Sequence, residues 1–456
     1  MIGRAIARML GSILIVNAIF LGLMLITPYD PVGVGDRIRA AFATGDLGLE
    51  EYRRRDIRHG WHQYNDCAVL QLLSAPDSSR VSRALAPRWS FLRADVGENL
   101  SCGTLKALTV DGASRDSMTN YRYSRYWHGY MVPVGFGLQV MNLAHVRRLL
   151  LISVCISIVV LTAAALRARS HSRRTGLAIA GAAAFFWGVP YFDPGLSHAP
   201  GDAALLLALA ILVFRPALSA DLGALLPYSA VFGAVVVFFE AFTGQLPIAS
   251  AWLAALVLAA VRDESRPSAI DARVVALVAL GAFGVGGVIT VVIKQILAAL
   301  FAEPAAGSAF MNRLGGYMAV PAPRDGIPGL LVPYVQLVSR MFALTEWHRA
   351  AARVLVWALV IGWFLGVARG WRHRHDVAGR DVIFLCAIGL LPALWVLVVP
   401  THTLIHASFM VRMTVVPISM AAAALLWPVR TRTAAPTTGE IARETPEPFD
   451  GVTAHR

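Results

Sequence analysis

Charge is scarce in this chain of 456 residues. Asp, Glu, Lys and Arg together make up 15%, against 57% hydrophobic residues and a mean hydropathy of +0.59. Soluble domains average roughly 45–50% apolar and about 25% charged residues, so the composition excludes a soluble globular protein and implies an integral membrane one. Cysteine is scarce as well. The four present, Cys67, Cys102, Cys155 and Cys386, show no C-x-x-C spacing, which removes the common zinc and dithiol motifs. No nucleic-acid recognition motif accompanies the formal charge of +13, and many of the arginines lie in short segments between apolar runs, where they set topology. No repeat and no second soluble domain is visible.

What is present is a series of apolar runs near the length a bilayer demands. They lie at 9–26 and at about 149–166, 176–192, 202–214, 223–243, 247–261, 274–299, 352–368, 382–400 and 407–428. This pattern predicts an all-α polytopic membrane protein with about ten transmembrane helices, forming a single membrane domain over residues 1–428. The tail, 429–456, is rich in Thr, Pro, Glu and Arg and is predicted to be disordered and cytoplasmic. The first run follows Arg4 and Arg8, has no small-residue cleavage site before Tyr29-Asp30-Pro31, and reads as a retained span with a cytoplasmic amino terminus. Later arginine groups then fall on the cytoplasmic side: Arg167 to Arg174, Arg215, Arg262 to Arg273, Arg369 to Arg380, and Arg430 with Arg432. The expectation is a multi-pass protein of a bacterial cytoplasmic (inner) membrane with both termini in the cytoplasm. Two polar intervals, 28–148 and 300–350, become extracytoplasmic, the second with an interfacial helix near Pro333 to Val338.

The long first loop holds Arg58-His59-Gly60-Trp61-His62-Gln63-Tyr64-Asn65-Asp66-Cys67 and the aromatic run Tyr121 to Tyr130. Apolar positions Cys67, Val69, Leu70, Leu72 and Leu73 suit a partly buried helix lying on the membrane, which would turn Asp66 into a cavity. Asp66 is either a catalytic carboxylate or a structural partner for Arg58, Arg122 or Arg125. A Cys67–Cys102 disulfide would tie this helix to the later part of the loop in an oxidising compartment. The same side collects Arg125, His128, Asp193, His198, Asp202, Glu240, Lys294, His402, His406 and Arg412. Burying an ionisable group toward the bilayer costs a few kcal/mol, so such a sided cluster implies a polar cavity. Plain structural roles stand beside each: Asp202 in Pro-Gly-Asp as a helix N-cap, Glu240 and Lys294 as interfacial anchors. His402 and His406, four apart, share a helix face, but a metal site needs a third ligand and none is assigned.

A layout of many spans with a long first extracytoplasmic loop, membrane-lying helices and an acid within that loop resembles the GT-C class of integral membrane glycosyltransferases. The resemblance implies transfer of a sugar from a polyprenyl-phosphate-linked donor to an extracytoplasmic glycan or lipid acceptor. It places Asp66 at the first-loop acid, as general base or metal partner, and Asp193 or Asp202 at the second-loop acid of some members. A divalent metal is compatible but not required. The family's acid often follows the first span closely, so Asp30 and Asp36 compete with Asp66. On this reading Arg125, His128, His198, Glu240, Lys294, His402, His406 and Arg412 bind substrate, the cations among them holding the phosphate leaving group. Trp61, Tyr64, Tyr126 and Trp127 stack on sugar faces or anchor at the interface. Gly281, Gly284, Gly286 and Gly287 permit close helix packing or a lipid groove. Three other readings remain open: a membrane acyltransferase or glycan ligase with His128, His402 or His406 as base, a lipid or solute transporter, which usually shows a half-chain symmetry not visible here, and a purely structural assembly protein.

Overall fold

A computed structural model describes residues 2–49, 51, 63–76, 79–92, 100–185, 195–240, 242–264, 270–342 and 346–428. Among the described residues the fold is helical apart from one two-stranded antiparallel sheet. In order it runs α1 (Ile2–Ile26), α2 (Pro31–Thr44), α3 (Gln63–Ser74), α4 (Arg80–Leu85), β1 (Arg88–Phe91), α5 (Leu100–Thr109), β2 (Thr119–Arg122), α6 (Met131–Val140), α7 (Leu143–Arg167) and α8 (Ser170–Ala183). There follow α9 (Gly195–Phe214), α10 (Ala217–Ala220), α11 (Leu222–Phe239), α12 (Gln245–Asp263), α13 (Ala272–Phe301), α14 (Ala306–Met318), α15 (Val332–Phe342) and α16 (Glu346–Arg372). The chain closes with α17 (Val377–Ile388), α18 (Leu391–Val398), α19 (Pro400–Ile405), α20 (Ala407–Met410), a 3-10 turn at Val411–Thr414, and α21 (Val415–Leu426).

Among the described residues, seven helical stretches are long and apolar enough to cross a membrane: Gly3–Ile26, Leu143–Arg167, Gly195–Phe214, Leu222–Phe239, Gln245–Asp263, Ala272–Phe301 and Val377–Val398. The protein is therefore an all-α polytopic membrane protein by length and composition. The other three apolar runs of the sequence fall on α8, whose continuation lies outside the described residues, on α16, and on the interrupted helices from 407 to 426. The predicted tail at 429–456 lies outside the described residues too.

Local signals explain where the helices begin. The Asp30 side chain accepts the Gly33 N–H at the start of α2, Pro31 opens the helix, and Gly45, at φ 78°, closes it in the left-handed conformation that glycine adopts without cost. Asp30 is thus a cap, and Asp36 is an exposed partner of Arg39. Asn142 and Asp271 cap α7 and α13 in the same way.

The bundle is tightest where α11 meets α13. A Cβ on Gly233 would come 2.0 Å from the Phe283 carbonyl oxygen, and one on Gly286 would come 1.9 Å from that of Ala230. Two backbones in contact at small residues is the usual solution for helices packed in lipid, where van der Waals contact carries the association. Gly281 and Gly284, by contrast, would point a Cβ into open space. Asn17 of α1 is buried and donates to the Thr290 hydroxyl of α13 at 3.0 Å, which adds a polar fastener to this core.

At the end remote from the large loop, charges hold the helix termini together. Arg262 grips Asp381 through two hydrogen bonds of 2.7 and 2.9 Å, and Asp263 accepts the N–H groups of His171 and Ser172 at the start of α8. Arg174 and Arg369 donate to the last carbonyls of α21, at Leu426 (2.7 Å) and Trp427 (2.8 Å). Orphan carbonyls and N–H groups at helix ends are satisfied this way.

At the opposite end the loop folds into its own layer. Cys67 of α3 and Cys102 of α5 form a disulfide. Buried Glu51 accepts the Ser101 N–H and, at 2.8 Å, the Cys102 N–H, which seals the start of α5. Burial raises the pKa of Glu51, against these backbone donors. Strands β1 and β2 pair antiparallel with Arg88 opposite Arg122 and Phe91 opposite Thr119.

Candidate functional site

The two paired strands and residues of five helices, α3, α9, α11, α14 and α19, line a cavity of about 210 Å³ at the loop end of the bundle. Side chains on a strand alternate between faces, so Trp89 and Phe91 share one face, and Tyr121 stands directly across from Trp89. Phe91 and Tyr121 stack at 5.5 Å with an interplanar angle of 12°, and Tyr123 lies 4.6 Å from Trp89. The result is an aromatic wall. Burial keeps the phenols of Tyr121 and Tyr123 protonated well beyond the ordinary tyrosine range, so they act as hydroxyl donors.

Cations line the side of the cavity nearest α14. The Arg125 guanidinium lies over the Tyr123 ring at 4.7 Å and donates to the Tyr317 hydroxyl at 3.0 Å, and Arg313 lies 5.0 Å from the Tyr317 ring. His402 packs against Tyr317 at 4.3 Å and against His406 at 4.5 Å. Both nitrogens of His402 are buried, and neither has a hydrogen-bond partner among the described residues. Burial, with Arg313 and Arg125 nearby, lowers the pKa of His406 to about 4 and that of His402 well below the usual imidazole range. Two neutral imidazoles and two guanidiniums face a space that Glu240 alone among the wall residues supplies with a carboxylate.

The floor is a chain of polar contacts between helices. His198 and Asp202, four apart on α9, share one face. His198 Nδ1 lies 2.6 Å from Glu240 Oε2 at the end of α11, and the Asn65 amide of α3 lies 3.1 Å from His198 Nε2. Arg412, in the 3-10 turn, donates to Glu240 Oε2 at 3.3 Å and to Asp202 Oδ1. Gln245 donates to the same Asp202 oxygen at 2.9 Å. Glu240, Arg412 and Asp202 are 9%, 0% and 0% exposed, so these charges are buried and mutually paired, as interior charges must be.

Of the residues that the sequence singles out, Arg125, His198, Glu240, His402 and His406 stand on the cavity wall and Arg412 directly behind it. Four others are placed differently. Asp202 is no N-cap: α9 begins seven residues earlier at Gly195, and Asp202 sits inside it, because Pro200 and Gly201 are accommodated within the helix where the sequence suggests a turn. Asp66, expected as the catalytic carboxylate, has both oxygens engaged. Oδ2 accepts from Arg147 Nε at 2.7 Å and from its terminal nitrogen at 2.6 Å, while Oδ1 accepts the Leu196 N–H at the start of α9 at 2.7 Å. On α3 it is Tyr64, Asn65, Ala68 and Val69 that face the cavity. Asp66 is therefore a clamp and a helix cap, and its partner is Arg147 rather than Arg122 or Arg125. Arg58 and Trp61 lie outside the described residues.

His128, expected to bind substrate, lies behind the aromatic wall with both nitrogens taken. Nε2–H donates to the Tyr123 carbonyl and Nδ1 accepts from the Tyr130 hydroxyl, each at 2.8 Å. Burial lowers its pKa to about 3, and its φ of 56° marks a left-handed turn that this neutral ring holds in place. Lys294, also expected at the substrate, donates to the carbonyls of Leu85 and, at 2.9 Å, Ser124, and fastens α4 and the 124 region onto α13. Asp193, the second catalytic candidate, lies outside the described residues.

Several wall residues escaped the sequence reading: Trp89, Phe91, Arg313 and Tyr317, with Arg147 and Gln245 as supports. The Trp-x-Phe and Tyr-x-Tyr alternations at 89–91 and 121–123 carried a period-2 signal that could have revealed the two strands. Among the described residues, no three His, Cys, Asp or Glu side chains come together as a metal site. Compared with models of protein families, with curated proteins and with solved structures, the chain matches none.

Proposed function

We propose that this protein is a membrane-embedded glycosyltransferase of the GT-C kind that moves a sugar from a polyprenyl-phosphate carrier to a glycan or lipid acceptor at the loop face of a bacterial inner membrane. The observation that carries this reading is the composition of the cavity. Stacked aromatic rings on one side suit the apolar faces of a sugar, and Arg125, Arg313 and the unpartnered His402 on the other suit a phosphate. The Cys67–Cys102 bridge supports an oxidising, extracytoplasmic environment for the loop, with both termini on the cytoplasmic side. The phosphate would leave with the electron pair of the anomeric bond, its charge met by guanidiniums already in place.

The test is transfer by the purified full-length chain in lipid nanodiscs, supplied with radiolabelled polyprenyl-phosphate sugars and an extract of envelope glycans. A labelled glycan or lipid product that is lost in Arg125→Ala and Arg313→Ala supports the proposal. Binding of the carrier lipid without any product removes it.

A transporter is the second reading, favoured by the buried Asp202–Arg412–Glu240 cluster beneath the cavity, since ionisable groups inside a bundle also mark substrate or proton paths. Movement of the intact labelled lipid across the bilayer, with no new glycosidic bond, would favour it.

A further inference from the structure

We infer that His198 is the general base of this site, oriented by Glu240 and covered in the resting state by Asn65; the assignment rests on the glycosyltransferase reading above. Its ground is the order of contacts along the floor. A carboxylate oxygen 2.6 Å from His198 Nδ1 fixes that nitrogen as the protonated one, which leaves the Nε2 lone pair for the cavity side. There it accepts from the Asn65 side chain, which is itself a wall residue and only part-buried. Glu240 is held in turn by Arg412, so the orienting carboxylate cannot swing away from the ring.

The sequence candidates do not offer this geometry. Asp66 has both oxygens occupied and faces away from the cavity, and His128 has both nitrogens satisfied within the wall. His402 is open to the cavity, but no carboxylate orients it, and it sits among the guanidiniums where the phosphate belongs. Among the described residues, His198 alone joins a wall position to an acid partner on one nitrogen and an amide on the other.

The acceptor hydroxyl displaces the Asn65 amide and gives its proton to His198 Nε2 while its oxygen bonds the anomeric carbon. The anomeric carbon–oxygen bond to phosphate breaks, and the electron pair leaves with the lipid phosphate. Glu240 stabilises the imidazolium through Nδ1–H until the proton passes to water.

The experiment measures transfer and carrier-lipid binding side by side with the full-length protein in nanodiscs. His198→Ala is expected to lose about two to four orders of magnitude in kcat with carrier binding retained, and added imidazole is expected to restore part of the rate. Glu240→Gln is expected to lower kcat by a smaller factor and to displace the acid limb of the pH profile, with KM for the carrier little changed. A positioning residue moves that limb; a merely structural one does not. If His198→Ala keeps a rate within about tenfold of the intact chain, or if Glu240→Gln is the more damaging of the two, then Glu240 is the base and the inference is overturned. If His198→Ala loses carrier binding together with rate, the ring is structural and the inference is likewise overturned. An intact chain that transfers no sugar from any lipid phosphate removes the function itself, and this assignment with it.

Discussion

The two ends of the bundle use polar residues in opposite ways. At the far end, Arg262, Arg174, Arg369 and Asp263 are each spent on a helix terminus or an opposing charge. At the loop end, both nitrogens of His402, the Ser197 and Thr243 hydroxyls and the Trp89 indole N–H are buried with no partner among the described residues. An unmade hydrogen bond in a buried site costs about 1–3 kcal/mol. Unmet buried groups occur at the far end too, at Thr175, Ser219 and Trp427, so what sets the loop end apart is that its four, Trp89, Ser197, Thr243 and His402, all line the cavity. The same contrast exists within the loop end, where Asp66, His128 and Lys294 are consumed by structure while both nitrogens of His402 are unmet among the described residues.

The sharpest way to break the comparison is to remove a consumed charge. Asp381→Ala leaves Arg262 with only its 3.5 Å contact to Asp271 and Asp66→Asn weakens the clamp on Arg147; each is expected to cost about 3 kcal/mol of stability, read as a lowered midpoint of thermal unfolding in detergent. Surviving folded protein should keep its transfer rate. Loss of rate in Asp66→Asn at full stability would return that residue to the role of base.

Next in size is an unconsumed group. His402→Ala removes a buried ring that makes no hydrogen bond among the described residues, so its stability cost is lost packing alone, about 1–2 kcal/mol, whereas carrier-lipid affinity is expected to fall about tenfold in a nanodisc binding assay. A large loss of stability with unchanged affinity would place His402 among the structural residues.

Acid should separate the two ends. His128 and His406 have pKa values lowered by burial to about 3 and about 4 from an ordinary 6.5, so the folded protein binds fewer protons than the unfolded chain below that value. Their contribution is whole above pH 6.5 and is lost as pH falls toward 4 and below. At the far end, the hydrogen bond from Arg273 holds the Asp271 carboxyl well below the usual carboxylate range, so its pairing persists through that window. Limited proteolysis at pH 7 and at about pH 4.5 should therefore show cleavage appearing first in the loop layer. Simultaneous cleavage at both ends would contradict this. The smallest effect is expected from Arg174→Ala, an exposed donor to one helix-end carbonyl, whose removal should cost less than about 0.5 kcal/mol.

Hydropathy made the spans legible, since a bilayer-crossing helix announces itself over twenty residues at a time. The start of α9 was not legible. Asp193-Pro194 through Pro200-Gly201-Asp202 has the letters of a turn, yet the helix continues through Pro200, and the Gln245 amide that bonds Asp202 lies 2.3 Å from where a Cβ on Gly201 would stand. That contact is tertiary and leaves no local trace. Asp66 was conspicuous, but its meaning depended on Arg147, 81 residues away, and on the Leu196 N–H, 130 away. His198 and Glu240 were both visible as isolated residues; their pairing belongs to the packing of α9 against α11.

The Cys67–Cys102 bridge reaches beyond the two helices it joins. Cys67 follows Asn65 and Asp66 directly, so the tie that fixes α3 also fixes the cover of the imidazole and the clamp on α9. One covalent tie to α5 thus sets, through α3, both a wall residue of the cavity and the cap on the helix that carries His198.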